Sequence, residues 1–352
     1  MWPSTKVFLS VALLLSQPLW AEVDSFPINP SQVKGLTQKI FPDTLRVSCR
    51  TLSRGPKSEL GDFESVGPFV KKTIEHLQNE EWTKLVSLFH PLVRGRDDLG
   101  EKIAATFRHK YEKPWQFSVY REWAIHTVNG DPLEVPCDDG ALTVTSRYSY
   151  PLQFAVWLQV MGSNEIGRVF MIVVPGEKDW RIAAWHISQW SHQGKDAAYW
   201  AKDAGEANAK GDKVAASIKY DVAQKLLDVG KLLFLNEREK LSQERDKIMA
   251  KAELLSIVNK TLKTDGIVYT ASILAEDGAG LSIRERIKVE EPTHDLMRRC
   301  IQRGKTLISG KVLSPALGGL RCSYVLPQEP AESDGQLGGF FYTQKELIKK
   351  DL

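Results

Sequence analysis

Apolar positions change their period along the chain. In "FVKKTIEHLQNEEWTKLVSLFHP", Phe69, Val70, Ile74, Leu77, Trp82, Leu85, Leu88 and Phe89 recur at helical spacing, with Pro68 suited to a first turn and Pro91 ending the run. Leu99, Ile103 and Phe107 make a second helical stripe. From residue 115 the period falls to two. The runs 115–128, 142–150, 154–161, 168–174 and 179–188 are rich in aromatic and β-branched residues, and "GSNEIG" and "PGEKD" are links of hairpin type. Helices followed by antiparallel strands predict an α+β class, with helices packed on one face of a curved antiparallel sheet.

Further along, residues 199–228 predict a helical hairpin. Leu227, Phe234, Leu241, Ile248, Leu255 and Leu262 then recur every seven residues, which predicts one long charged helix stopped at Thr264-Asp265-Gly266. Glu237, Arg238, Glu244 and Arg245 occupy places where a coiled coil needs apolar residues, so this helix suits lying on a surface or bridging domains. Short strand-like runs return over 267–326 ("IVYTASILA", "LSIRERIKV", "TLISGKVL", "RCSYVL"), with a small helix at 294–302. The tail begins as a polar loop and finishes as a short helix.

The N-terminus changes the context. Lys6, the apolar run Val7–Leu15 and the small Ala21 after Leu19-Trp20 read as a secretory signal peptide, too short to span a membrane. The mature protein is therefore expected to be exported, periplasmic or secreted, with no transmembrane segment. The expected division is 1–21 signal peptide, 22–63 N-terminal extension with at most a strand near Leu45–Cys49, 64–194 α+β domain, 195–264 helical region, and 265–352 small β-rich C-terminal region with a polar tail. In an oxidising compartment an even cysteine count suggests disulfides. Cys49, Cys137, Cys300 and Cys322 allow three pairings; Cys300–Cys322, near neighbours, is the favoured one, leaving Cys49–Cys137 to tie the extension to the middle domain.

Charge excludes one class of partner. Lys and Arg total 47 against 44 for Asp and Glu, and the interleaved signs form no basic stripe, so nucleic acid is not expected. "GKT" at 304–306 lacks the upstream glycine of a phosphate loop, since position 299 is Arg, and "GAG" at 278–280 is followed by Ile283 where a dinucleotide motif needs glycine. No cofactor and no metal is expected.

The segments "LQNEEWTKLVSLFHP" (77–91) and "DWRIAAWHIS" (179–188) resemble the nuclear-transport-factor-2-like superfamily, at Trp82, Leu88, Phe89, Trp180, Arg181, Ile182, His186 and Ser188. The resemblance covers roughly 64–194. It implies a cone-shaped cavity under the sheet, but not a function, because that superfamily includes isomerases, dehydratases, oligomerisation modules and binding domains. Residues 199–228 resemble a single tetratricopeptide-like hairpin at Trp200, Gly211, Ala216, Tyr220 and Ala223, and depart from it at Asp203, Ala204 and Ala207.

On the last strand, strict alternation puts Trp180, Ile182, Ala184, His186 and Ser188 on one face and Arg181, Ala183, Trp185 and Ile187 on the other. If the cavity persists, Trp123, His126, Tyr148, Tyr150 and His186 are the residues to line it. A histidine beside a buried acid could act as a general base, yet no strand carries an obvious interior acid; Glu122 and Asp131 are nearest. His186 is thus expected to be structural and partly buried, with no bonded carboxylate. The function expected is an exported non-catalytic binding or scaffold protein engaging a protein partner or small apolar ligand. The alternative is a small-molecule isomerase, dehydratase or hydrolase with His186 as general base.

Overall fold

The computed structural model describes residues 48–51, 61–95, 98–126, 133–146, 150–163, 165–275, 278–289, 291–330 and 337–349. Residues 1–21, Asp131 and Tyr148 lie outside them. The chain is mixed α+β with antiparallel sheets, and it divides into two compact units.

The first unit runs to Gly194 and takes back Leu226–Arg238 from further along the chain. Its main sheet has five antiparallel strands: β1 (Ser48–Thr51), β2 (Gln116–His126), β5 (Leu152–Met161), β6 (Ile166–Pro175) and β7 (Trp180–Gln189), in that order. A second sheet joins β3 (Leu133–Cys137) and β4 (Leu142–Ser146) to β8 (Leu233–Leu235). Helices α1 (Gly61–Gln78), α2 (Trp82–Ser87), α3 (Pro91–Arg94) and α4 (Leu99–Lys110) precede β2. Pro68 lies inside α1 rather than in its first turn, and the apolar stripe is cut after Gln78, where Glu80 adopts a left-handed φ of 56°.

Each face of the main sheet has its own core. On one, Val66, Phe69, Val70 and Leu77 of α1 and Ile103 and Phe107 of α4 pack with Phe154, Val156, Met171, Val173 and Ile182. Rings fill this layer: Phe107 lies 5.6–5.9 Å from the rings of Trp82, Tyr111, Trp115 and Phe117. On the other face, Trp123, Ile125, Phe170 and Ile172 pack with Val135, Val144, Val229 and Leu233. Continuous apolar strands follow from this double cover, since a strand buried on both faces has no polar side to show. The Cys49–Cys137 disulfide, with Cα atoms 5.2 Å apart, ties β1 to the end of β3.

The second unit comprises Lys195–Lys225 and Glu239–Leu352. The expected hairpin is present as α5 (Ala197–Ala209) and α6 (Lys213–Leu226), turning at Gly211 with φ 80°. The single long helix is not. Its heptad stripe is divided among α6, β8, α7 (Asn236–Ile248) and α8 (Lys251–Leu262). The break begins at Gly230, where φ is 77°, and Phe234 of the stripe lies on a strand paired with Thr143. A four-stranded sheet follows: β9 (Ile267–Ala275), β10 (Gly278–Arg286), β11 (Gly319–Val325) and β12 (Leu337–Thr343). Strands β10 and β11 are parallel, so the link between them crosses over as α9 (Thr293–Ser309). That crossover makes the helix 17 residues long and draws the start of "TLISGKVL" into it, where the pattern suggested a strand. A short α10 (Gln344–Lys349) ends the described chain, and among its described residues no helix is long and apolar enough to cross a membrane.

Asp221 of α6 organises the polar interior of this unit. Its carboxylate accepts from Ser272 Oγ at 2.5 Å and from Arg245 Nη1 at 3.3 Å. Cys300 of α9 is bonded to Cys322 of β11, Cα atoms 5.7 Å apart. Both favoured cysteine pairings are therefore present. Titration of thiols in denaturant without reductant should find none; four free thiols would contradict both bridges.

Candidate functional site

The alternation on β7 is interrupted. Val173 pairs with Ile182 and Ile172 with Ala184, so Ala183 is an extra residue, a β-bulge. A segment distant in sequence meets it there: Ile182 N–H donates to the Leu88 carbonyl and the Ile182 carbonyl accepts from His90 N, both at 2.9 Å. Segment 88–90 holds both polar groups of Ile182. Beyond the bulge the faces exchange. Trp180, Ile182, Trp185 and Ile187 face the helices, while Ala183 and Ala184 face the small sheet. His186 pairs with Phe170 and Ser188 with Arg168, so both belong to the small-sheet side. His186 does not share a face with Trp180 and Ile182, as strict alternation requires.

Of the five residues expected to line one cavity, Tyr148 lies outside the described residues, and the other four do not all share one face of the sheet. Trp123 and Tyr150 lie in the small-sheet core. Trp123 Nε1 donates to Asp138 Oδ1 at 3.1 Å. Burial pushes the Asp138 carboxyl up, but bonds from Thr51, Trp123 and Arg121 outweigh it and hold the group below its ordinary range. Tyr150 Oη lies 3.3 Å from His90 Nε2. His126 alternates with Ile125 and so points to the helical side with Ala124.

Glu122 corrects the expectation that the strands lack an interior acid. It is 2% exposed and pairs with Val156, on the helical side. His186 is on the opposite side. The sheet lies between them, so Glu122 cannot orient the His186 ring.

What surrounds His186 is a tight turn and three charges. A Cβ on Gly230 would stand 2.8 Å from His186 Nδ1, so only glycine lets the 228–230 turn seat on the ring; its φ of 77° demands glycine as well. Asp228 Oδ1 closes that turn by accepting from Gly230 N at 3.1 Å and pairs with Arg238 Nη1 at 3.2 Å. Among the described residues no hydrogen bond reaches the imidazole. Burial lowers its pKa to about 4; Asp228 opposes this, and Lys110 and Arg168 add to it.

Arg168 is the residue that sequence reasoning passed over. It is 1% exposed, within the apolar run "RVFMIVV". Its Nε donates to Ser188 Oγ at 2.9 Å and its Nη2 donates to the Leu226 carbonyl, which anchors the start of the 226–238 excursion. The guanidinium carbon lies 5.4 Å from the Trp157 ring centre and 6.0 Å from that of Trp190. Burial pushes its pKa down to about 10, against the pull of Tyr111 and Asp228. Tyr111 crosses Gly167, where a Cβ would fall 2.2 Å from the ring, and donates from its hydroxyl to the Ser188 carbonyl at 2.8 Å. A charged residue inside an otherwise apolar strand was the available signal.

Among the described residues no cluster of histidine, cysteine and carboxylate groups could hold a metal ion. Comparison with protein-family models, with curated proteins and with solved structures finds no match to this chain.

Proposed function

We propose that the protein is an exported, non-catalytic binding or scaffold protein. In this reading, a sheet domain of nuclear-transport-factor-2-like plan and the helical hairpin engage a protein partner or a small apolar ligand. One observation carries the reading: the layer between helices and sheet is occupied by rings around Phe107, where an enzyme of that plan needs an open polar chamber. Disulfides in both units support export, because such bonds persist in oxidising compartments.

Glu122 favours a second reading, an enzyme working on the helical face, since a buried acid is a candidate base. It gives His186 no part, because that ring is on the other face. Native mass spectrometry of the exported chain tests the binding reading. The expected species begins at Glu22 and carries a non-covalent partner or apolar ligand that His186→Gln retains. A chain beginning at Met1, no bound mass, or a bound mass lost with His186→Gln contradicts the proposal.

A further inference from the structure

The small-sheet side of β6 holds a cation with unused capacity. Arg168 has five N–H donors in a rigid fork, and Nη1 is buried without an acceptor among the described residues. Among the described residues no carboxylate lies within ion-pair distance of it. The acid that acts on it through space, Asp228, is committed to Arg238 and to Gly230 N. Buried charges are normally paired, because desolvation of an ion is recovered only by a counter-charge and hydrogen bonds. A second donor beside it is in the same state: Trp157 Nε1 is buried with no acceptor among the described residues.

Rings lead from this fork to the surface. The Trp157 and Trp190 ring centres lie 5.3 Å apart with the planes tilted by 45°, and that of Tyr120 lies 5.2 Å from the first and 4.6 Å from the second. Tyr120 is 43% exposed and is the extra residue of a bulge in β2, between Val119 and Arg121. Bulges re-aim a side chain, often beside a binding site. Rotation of Tyr120 and Trp190 would open a path along these rings to the arginine.

We propose that Arg168, Trp157, Trp190 and Tyr120 form a binding site for a small ligand that joins a carboxylate to a planar apolar body. The carboxylate takes the free edge of the Arg168 fork, a geometry that guanidinium groups match well. The planar body lies among the three rings, which favour offset or edge-on stacking. The inference rests on the reading of the protein as a binder, and it gives the ligand a charge that the apolar ligand of that reading lacked.

Calorimetry on the full mature chain tests it, with benzoate as the probe and benzamide as its neutral counterpart. Benzoate should bind one to one with Kd of about 1 mM or tighter, and benzamide at least ~10-fold more weakly. Arg168→Gln should abolish binding. Because that variant also loses the bond to Leu226, Trp190→Ala serves as the second: it should weaken benzoate at least ~10-fold while circular dichroism stays unchanged. Equal affinity for benzamide, no saturable heat up to about 10 mM benzoate, or full binding by Trp190→Ala would overturn the site. If the site fails while a partner remains bound in native mass spectrometry, the binding reading stands without it.

Discussion

Replacing Phe107 with alanine is expected to lower the unfolding free energy of the first unit by about 3–5 kcal/mol, the range for deleting a fully buried aromatic ring. Phe107 is 0% exposed and stands among four other aromatic side chains. The cost should fall high in that range, because stiff rings around the hole cannot collapse into it as flexible aliphatic chains do. Trp82 and Trp115, both against Phe107, report the transition by fluorescence in a urea titration. Leu92→Ala is the control. Leu92 is 46% exposed, so its loss should change stability by no more than about 0.5 kcal/mol. A Phe107→Ala loss below about 1 kcal/mol would mean the helix–sheet layer is not packed as described.

Acid should weaken the same unit before its carboxylates titrate. His186 has a folded pKa of about 4 against an ordinary value of 6.5. Neutral imidazole is therefore favoured in the native state, and the unfolded chain takes up the proton first. The contribution is fully present above pH 6.5 and is lost as pH falls from there to about 4. At ~1.4 kcal/mol per pKa unit the loss is about 3 kcal/mol. His90, also lowered by burial and by Arg181, adds a smaller slope of the same sign. The lowered carboxylates described in this unit, Glu81 and Asp138, start from 4.5 and 3.8 and so act below most of this window. His186→Gln should remove most of the slope between pH 6.5 and 4 and leave that below it. An unchanged slope would assign the acid sensitivity elsewhere.

The four long strands of the main sheet were legible because each carries aromatic and β-branched residues in a continuous run, which the short β1, Ser-Cys-Arg-Thr, does not. The cysteine pairs were legible because separation along the chain left few sensible partners. The bulge was not. Strand β7 is mostly apolar on both faces, so its sequence does not mark the bulge, and what breaks its register is a pair of backbone bonds from Ile182 to segment 88–90, far away in sequence. That one extra residue moved His186 to the other face. Strand β8 was hidden because Leu227 and Phe234 fit a heptad as well as they fit a turn and a strand, and only the partner strand β4 decides between them. The parallel crossover through α9 likewise depends on where β11 pairs, not on any local pattern. Of the candidate site, the sequence marked His186 but not its surroundings. Gly230, Asp228 and Arg168 reach it through tertiary structure alone.

The central claim is that His186 is a partly buried structural ring without a bonded carboxylate. Nitrogen-15 correlation spectra of the histidine side chains, recorded on the folded protein across pH, test it directly. The imidazole should stay neutral to about pH 4, the value set chiefly by its burial. Protonation at or above pH 6.5 would require an acid bonded to the ring, contradict the claim, and put an enzyme reading with His186 as base first.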